Sequence, residues 1–534
     1  MKRLILPFLL LLLMSTTAQT VNTLLDSASL LHFKKKDYTA AAALYKKAFQ
    51  QPLPYPSYFT YLNGVACFAY SGDHDLAFRY LDICKKMGWV DITDINTDTL
   101  IVSLKADKRW KPFETSLNNE KDLFLKSIDP ALYGVQQNDH LKKIATWQAD
   151  KSIPDDSLYT LLQQWSAYPV PGKKGRVVKY YTRINDTLNI PYFLYIPTNY
   201  DARKPNALLV YIPGGWWARP NLPKDEKKGY QFENPTYPYL EDANMIEIFP
   251  VVNRSVALYT DEGYINIEKA VIQTKKIFNI DDNKVFLAGF SDGGSSAYNI
   301  ATGNPTQFAK FYAINGWPNG RGSFMNYTNR PVFSFSAEHD FYNNLSVKTR
   351  AAFAAKLGAN WLFRTVAGED HFYYPYAKKV LPLIFRNMQT ASRPFPNNKI
   401  TWFTGSNFLS RCDWLQVQID TLRKTSKEHF SDTLRSFDMD GTKKVAIEYG
   451  NDLSQTTATF CSNTFTIDTY KTDSITIYIS LMMVDLSQPV KVIINGREVY
   501  HQKTSIDRAF MVKQFLHYFD RTMLWVNKIS LSVN

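Results

Sequence analysis

Apolar positions divide this chain into three stretches. From residue 19 to about 118 they recur at three- and four-residue spacing, as on amphipathic helices. Ala41, Tyr45 and Ala48 share one face, and Ala77, Leu81 and Cys84 share a similar one. More helix follows over 119–175, read as a helical linker that ends in the proline and glycine cluster Ala167 to Gly172. From 176 to about 392 short apolar runs alternate with helical pattern. Strands are expected at 190–196, 207–212, 245–252, 285–288, 308–314, 332–336 and 361–366, with helices over 262–278 and 347–357. Such alternation predicts a mostly parallel sheet covered by helices on both faces. Beyond residue 395 the pattern turns to period two, with strands expected at 445–449, 464–469 and 474–481. Val490 to Ile494, Asn495-Gly496 and Arg497 to Tyr500 predict a tight hairpin. The expected whole is multidomain: a helical N-terminal region, a central α/β domain and an antiparallel, sandwich-like β module over 395–534.

Ala41 and Ala77 stand 36 residues apart, with Phe68 in the helix before the second copy and Gly72 at its turn. These residues resemble the tetratricopeptide repeat, whose small residues sit where paired helices cross. The resemblance implies a groove for a protein partner or a surface that packs on a neighbouring domain.

At 534 residues the chain has room for roughly two to four domains. It is 45% hydrophobic and 15% aromatic, a composition that buries cores and excludes wholesale disorder. The net charge of +13 is spread along the sequence, and no nucleic-acid motif accompanies it. Met1-Lys2-Arg3 precedes an apolar run to Met14 and small residues ending at Ala18. This is the pattern of a secretory signal over 1–18, so an exported, periplasmic or secreted protein with no later transmembrane segment is expected. Cys67, Cys84, Cys412 and Cys461 fall in two regions. Export would permit bridges, but Cys67 and Cys84 sit in helical pattern and read as buried thiols. No metal site and no cofactor are expected, since neither C-x-x-C nor H-E-x-x-H occurs.

The candidate chemistry centres on Val285 to Ala301. A short apolar strand enters Gly289-Phe290-Ser291-Asp292-Gly293 and continues into a helix with Ala297, Ile300 and Ala301 on one side. A G-x-S-x-G motif in that strand–turn–helix context is a nucleophile elbow. Together with the preceding Asn279 to Lys284, the segment resembles the α/β-hydrolase family, close to secreted esterases and the prolyl-oligopeptidase branch. The resemblance covers about 176–390.

That family orders its triad serine, acid, histidine along the chain. Ser291 is the candidate nucleophile, and it needs a neighbouring base. His371, in the loop after the strand ending at Val366, is preferred over His339, which precedes the acid. Asp340, beginning the loop after the strand from Pro331, is the candidate acid, with Glu338 as runner-up. Asp370 is expected to cap a turn. The resemblance places the oxyanion hole at the N–H of Asp292 and at Gly215 (or Gly214), in Pro213-Gly214-Gly215. Trp216 and Trp217 follow and are candidates for substrate binding. The expected activity is a serine hydrolase acting on a carbohydrate acyl ester or a small carboxylic ester. A prolyl-oligopeptidase-type peptidase and a binding protein with an inactive hydrolase domain are the alternatives.

Overall fold

The computed structural model describes residues 21, 23–53, 58–86, 98–128, 139–171, 174–215, 236–252, 254–318, 323–340, 344–419, 431–449 and 453–533. The leader read at 1–18 lies outside them, as do Trp216 and Trp217. Among the described residues no helix is long and apolar enough to cross a membrane.

The N-terminal helices are α1 (Tyr38–Phe49), α2 (Tyr58–Tyr70), α3 (His74–Lys86) and α4 (Trp110–Ile128). Asp37 caps α1, its carboxylate accepting from the Ala40 N–H at 3.0 Å. The faces picked out by periodicity are the buried ones: Ala41, Tyr45 and Ala48 on α1, and Ala77, Leu81 and Cys84 on α3. Gly72 turns the chain from α2 to α3 at a φ of 79°. Two further helices, α5 (Asp139–Ala149) and α6 (Asp155–Gln163), precede the first strand.

The central sheet has eight strands: β1 (Arg176–Arg183), β2 (Asn189–Ile196), β3 (Asn206–Ile212), β4 (Ile246–Pro250), β5 (Ile280–Phe290), β6 (Lys310–Ile314), β7 (Val332–Ala337) and β8 (Trp361–Val366). They lie in the order β1-β2-β4-β3-β5-β6-β7-β8. β1 and β2 form an antiparallel pair at one edge, and β3 to β8 all run parallel. Helices α7 (Tyr237–Ala243), α8 (Asp261–Ile277), α9 (Asp292–Gly303), α10 (Asn344–Lys356) and α11 (Ala377–Thr390) lie between or after these strands. The apolar runs are continuous because both faces are covered. Leu209, Tyr211, Phe286 and Tyr312 belong to one core cluster, and their neighbours Leu208, Val210, Val285 and Phe311 belong to another. The first cluster also takes in the buried residues of α1 and α3.

Besides a two-stranded hairpin, the C-terminal module holds two larger sheets among the described residues. One runs β10 (Arg411–Cys412), β11 (Leu415–Ile419), β16 (Thr472–Ile479), β19 (Asn527–Ser532). The other runs β18 (Arg497–Gln502), β17 (Val490–Ile494), β15 (Thr464–Tyr470), β14 (Ser454–Cys461), β9 (Lys399–Thr404). Their inner faces share one core, which includes Trp402, Val417, Ile467 and Ile477. The β17–β18 hairpin turns through Asn495 and Gly496, both at positive φ. The module is not wholly antiparallel, because β15 pairs parallel to β17. After β15 the chain crosses to the other sheet as β16, and residues 480–489 bring it back to lay β17 beside β15. Trp402 and Trp414 are fully buried in this core. A helix missed by the sequence pattern, α12 (Arg508–Tyr518), closes the module.

The stretch expected as a linker is part of this core. Ile144, Leu158, Tyr159, Leu162 and Trp165 are buried with the residues of the two sheets. Arg508 fixes the end of α5, donating to the carbonyls of Trp147, Gln148, Asp150 and Ile153 and pairing with Asp155 at 2.8 Å. Periodicity reports which face of a helix is apolar but not which core it enters. All four cysteines are free; Cys461 is exposed and the other three are buried. Burial pushes the Cys67 thiol up to about 12.

A buried ionic cluster joins the module to the central sheet. Lys275 on α8 contacts Asp282 at 2.6 Å and Asp520 at 2.9 Å. Arg393 makes two bonds to Asp520, at 2.8 and 3.0 Å, and Arg521 reaches Asp282 at 3.2 Å. Burial alone would raise the Asp520 carboxyl, but Arg393 and Lys275 outweigh it and hold it well below the usual carboxylate range. Removing one partner of such a cluster strands buried charge, so Asp520→Ala should cost about 3–5 kcal/mol. Urea unfolding of the variant reads this directly, and an unchanged midpoint would mean that the cluster contributes no net stability.

Candidate active site

The carboxyl ends of β3, β5, β7 and β8 converge on one cluster of side chains. β5 ends at Phe290, and Ser291 follows at φ 56° and ψ −118°, before α9 begins at Asp292. A positive φ is costly for serine and persists only where the surroundings enforce it. Here the Ser291 N–H donates to the Ile314 carbonyl at 2.9 Å, tying the turn to β6. The flanking glycines are a steric necessity. A Cβ on Gly289 would lie 2.2 Å from the backbone of Gly293, and one on Gly293 would lie 1.8 Å from the Ile212 carbonyl oxygen. The start of α9 is thus pressed against the end of β3, which brings the loop after β3 to the serine.

The loops after β7 and β8 are stitched together. Glu338 N–H donates to the Val366 carbonyl at 3.0 Å and His339 N–H to the Glu369 carbonyl at 2.9 Å. That pairing brings Asp340 beside His371, with His371 Nδ1 2.7 Å from Asp340 Oδ1. On the other side of the ring, His371 Nε2 lies 2.9 Å from Ser291 Oγ. All three residues are buried, Ser291 being the most accessible at 9%. The Phe290 ring packs beside the imidazole, with centroids 5.2 Å apart, and also contacts Tyr373. Tyr373 in turn hydrogen-bonds Tyr211 through their hydroxyls at 2.7 Å.

The alternatives considered from the sequence stand outside this cluster. Glu338 is exposed and accepts from the Gly368 N–H at 2.8 Å. His339 is exposed. Asp370 accepts from the Phe372 N–H at 3.1 Å, a turn-capping contact.

Two features escaped the sequence. The N–H of Gly215 donates to the Asp292 carboxylate at 3.0 Å, so this amide is already engaged in the free protein. Gly214 is the residue pressed on the serine: a Cβ there would lie 2.7 Å from Ser291 Cβ. The second feature is Asn315, one residue beyond β6 at φ 48°. Its side chain accepts from the Ala337 N–H at 2.8 Å and donates to the His371 carbonyl and to the Tyr376 hydroxyl. It therefore ties the acid strand to the histidine loop. The signal lay in Ile314-Asn315-Gly316, where an asparagine that tolerates positive φ ends an apolar run.

Chemically, a hydroxyl faces an imidazole nitrogen whose ring is held from behind by a carboxylate. This arrangement can remove a proton from the hydroxyl while oxygen attacks an electrophile, then return the proton to a leaving group. Among the described residues there is no group of three or more His, Cys, Asp or Glu side chains placed to hold a metal ion.

No protein-family model matches the chain, and no curated protein matches it in sequence. Solved structures that resemble it include an S-formylglutathione hydrolase from Staphylococcus aureus, 14% identical, covering 40% of this chain and 97% of the other at a TM-score of 0.32. A thermostable esterase is 17% identical over 41% of this chain and 63% of its own, at 0.34. A candidate dipeptidyl aminopeptidase IV from Bacteroides ovatus is 14% identical over 40% of this chain and 35% of its own, at 0.33. At these identities and scores, the fold and the site rest on the strand order and the distances above.

Proposed function

We propose that this chain is a serine hydrolase of the α/β-hydrolase type that cleaves carboxylic esters through an acyl-enzyme. One observation carries the reading: Ser291 Oγ, the His371 ring and the Asp340 carboxylate form an unbroken relay of 2.9 and 2.7 Å at the ends of three strands. Ser291 Oγ attacks the ester carbonyl carbon while His371 Nε2 takes its proton. Asp340 accepts from Nδ1–H, which fixes the tautomer that leaves Nε2 free to act as base. The tetrahedral intermediate collapses, the alcohol departs with the proton from Nε2, and water repeats the sequence to release the acid.

The oxyanion lies beside the first turn of α9, within reach of the Asp292 N–H. The second donor comes from Gly214-Gly215. Because the Gly215 N–H starts on the Asp292 carboxylate, a substrate oxygen gains that amide only as the carboxylate yields. An exported location, a partner for the N-terminal helices through a repeat-like groove, and the contribution of Trp216 and Trp217 to substrate binding complete the reading.

Ester cleavage is favoured over amide cleavage because the alkoxide is the better leaving group, and an oxyanion hole with one amide engaged suffices for it. Phe372, beside the histidine and exposed, suits an acyl or sugar ester. Purified protein should therefore hydrolyse acetyl or feruloyl esters faster than dipeptidyl amides. The opposite ranking would turn the assignment to a peptidase.

A further inference from the structure

The C-terminal module sends one hairpin away from its own sheets. It consists of β12 (Asp432–Phe437) and β13 (Lys444–Tyr449), which among the described residues pair only with each other. The hairpin lies along α10 of the central domain. Lys356, at the end of α10, pairs with Asp432 at 2.9 Å. Ser346, near its start, donates to the Phe437 carbonyl at 2.7 Å. Leu434, between these points, is buried in the core cluster that α10 helps to form. β12 therefore runs antiparallel to α10, and the tip of the hairpin projects past the helix N-terminus.

That end of α10 is the catalytic end. The helix begins four residues after Asp340, and Asn344 donates to the Ser336 carbonyl at the end of β7 while accepting from Thr365 near the end of β8. The tip itself is a turn closed by its own hydrogen bonds. Asp438 accepts from the Lys443 N–H and Thr442 hydroxyl, and Asp440 accepts from the Thr442 N–H, which occupies both carboxylates locally. Met439 is left 47% exposed on this turn, two residues from the Phe437–Ser346 bond. Leu345, adjoining Ser346, is 52% exposed, and Phe372, adjoining His371, is 64% exposed. Three large apolar side chains thus stand uncovered: one beside the histidine, one on the first turn of α10 and one on the hairpin tip.

We propose that these side chains, brought to one rim by the packing of the hairpin on α10, form a specificity site for a long apolar acyl group of the ester substrate. The assignment rests on the serine-hydrolase reading and adds the substrate class. An acyl chain bound at Ser291 and running past Phe372 reaches Leu345 and Met439, where its burial covers apolar surface on both sides. A short acyl group never touches them. The module then acts as part of the enzyme, setting which esters are turned over.

The test compares p-nitrophenyl acetate and p-nitrophenyl decanoate on the full chain and on a Leu345→Ser, Met439→Ser double variant. Both positions are exposed, so the melting temperature should not change. In the variant, kcat/KM for decanoate should fall about tenfold, through KM, as the lost apolar contact dictates, while acetate hydrolysis stays at the wild-type rate. An unchanged decanoate-to-acetate ratio overturns the inference, as does a wild type that hydrolyses acetate but not decanoate. Either result leaves the serine-hydrolase reading standing. A folded wild type that hydrolyses neither ester overturns that reading, and this inference with it.

Discussion

Ser291→Ala should fold like the wild type and hydrolyse esters on the order of 10⁶-fold more slowly. The loss is large because the hydroxyl is the atom that forms the covalent bond. His371 and the oxyanion donors cannot replace it, and what remains is binding and electrostatic catalysis. The fold should survive because Ser291 is held by its backbone: its N–H donates to Ile314 and its carbonyl accepts from the Ser295 N–H at 2.9 Å. The flanking glycines that allow the tight turn are untouched. Circular dichroism and the melting temperature check the fold, and ester turnover checks the role. A correctly folded variant with near-normal turnover would remove Ser291 from the chemistry.

Asp340→Asn should lower turnover by about 10⁴-fold. The carboxylate accepts from Nδ1 of His371 across 2.7 Å. An amide in its place can present its NH₂ to that nitrogen, which favours the tautomer with the proton on Nε2. That nitrogen then has no lone pair to receive the serine proton. Glu338→Gln is the matched control two residues away. Its side chain is exposed and accepts a loop N–H, from Gly368, so its turnover should stay within a few-fold of wild type. The reverse ranking would transfer the acid to Glu338.

The central sheet was legible because its strands are buried on both faces, which writes them as uninterrupted apolar runs. β3, β7 and β8 lie within a residue of the expected spans. β5 begins earlier than its apolar run: Ile280 pairs with Asn206, and the half-buried Asp281, Asn283 and Lys284 lie in the irregularity between that pair and Leu208–Val285. The order of serine, acid and histidine was legible because each follows a strand. What the sequence left silent is mostly a matter of partners. Nothing in Asp292 announces that its carboxylate takes the Gly215 N–H. Asn315 acts through three groups, in Ala337, His371 and Tyr376, each brought to it only by the folded sheet. α5 and α6 read as linker because an amphipathic helix does not name the core it enters. Lys275, Asp282, Arg393 and Asp520 look like ordinary surface charges until the module closes over them. The edge strand β1 and the polar strand β14, rich in threonine, gave no apolar run to find.

The most direct measurement is active-site labelling. The full-length protein is treated with a fluorophosphonate, and the modified residue is mapped by peptide mass spectrometry. The account predicts one adduct per chain, on Ser291, with matching loss of ester hydrolysis and no labelling of Ser291→Ala. Absence of labelling in the folded protein, or an adduct on another serine, would contradict it.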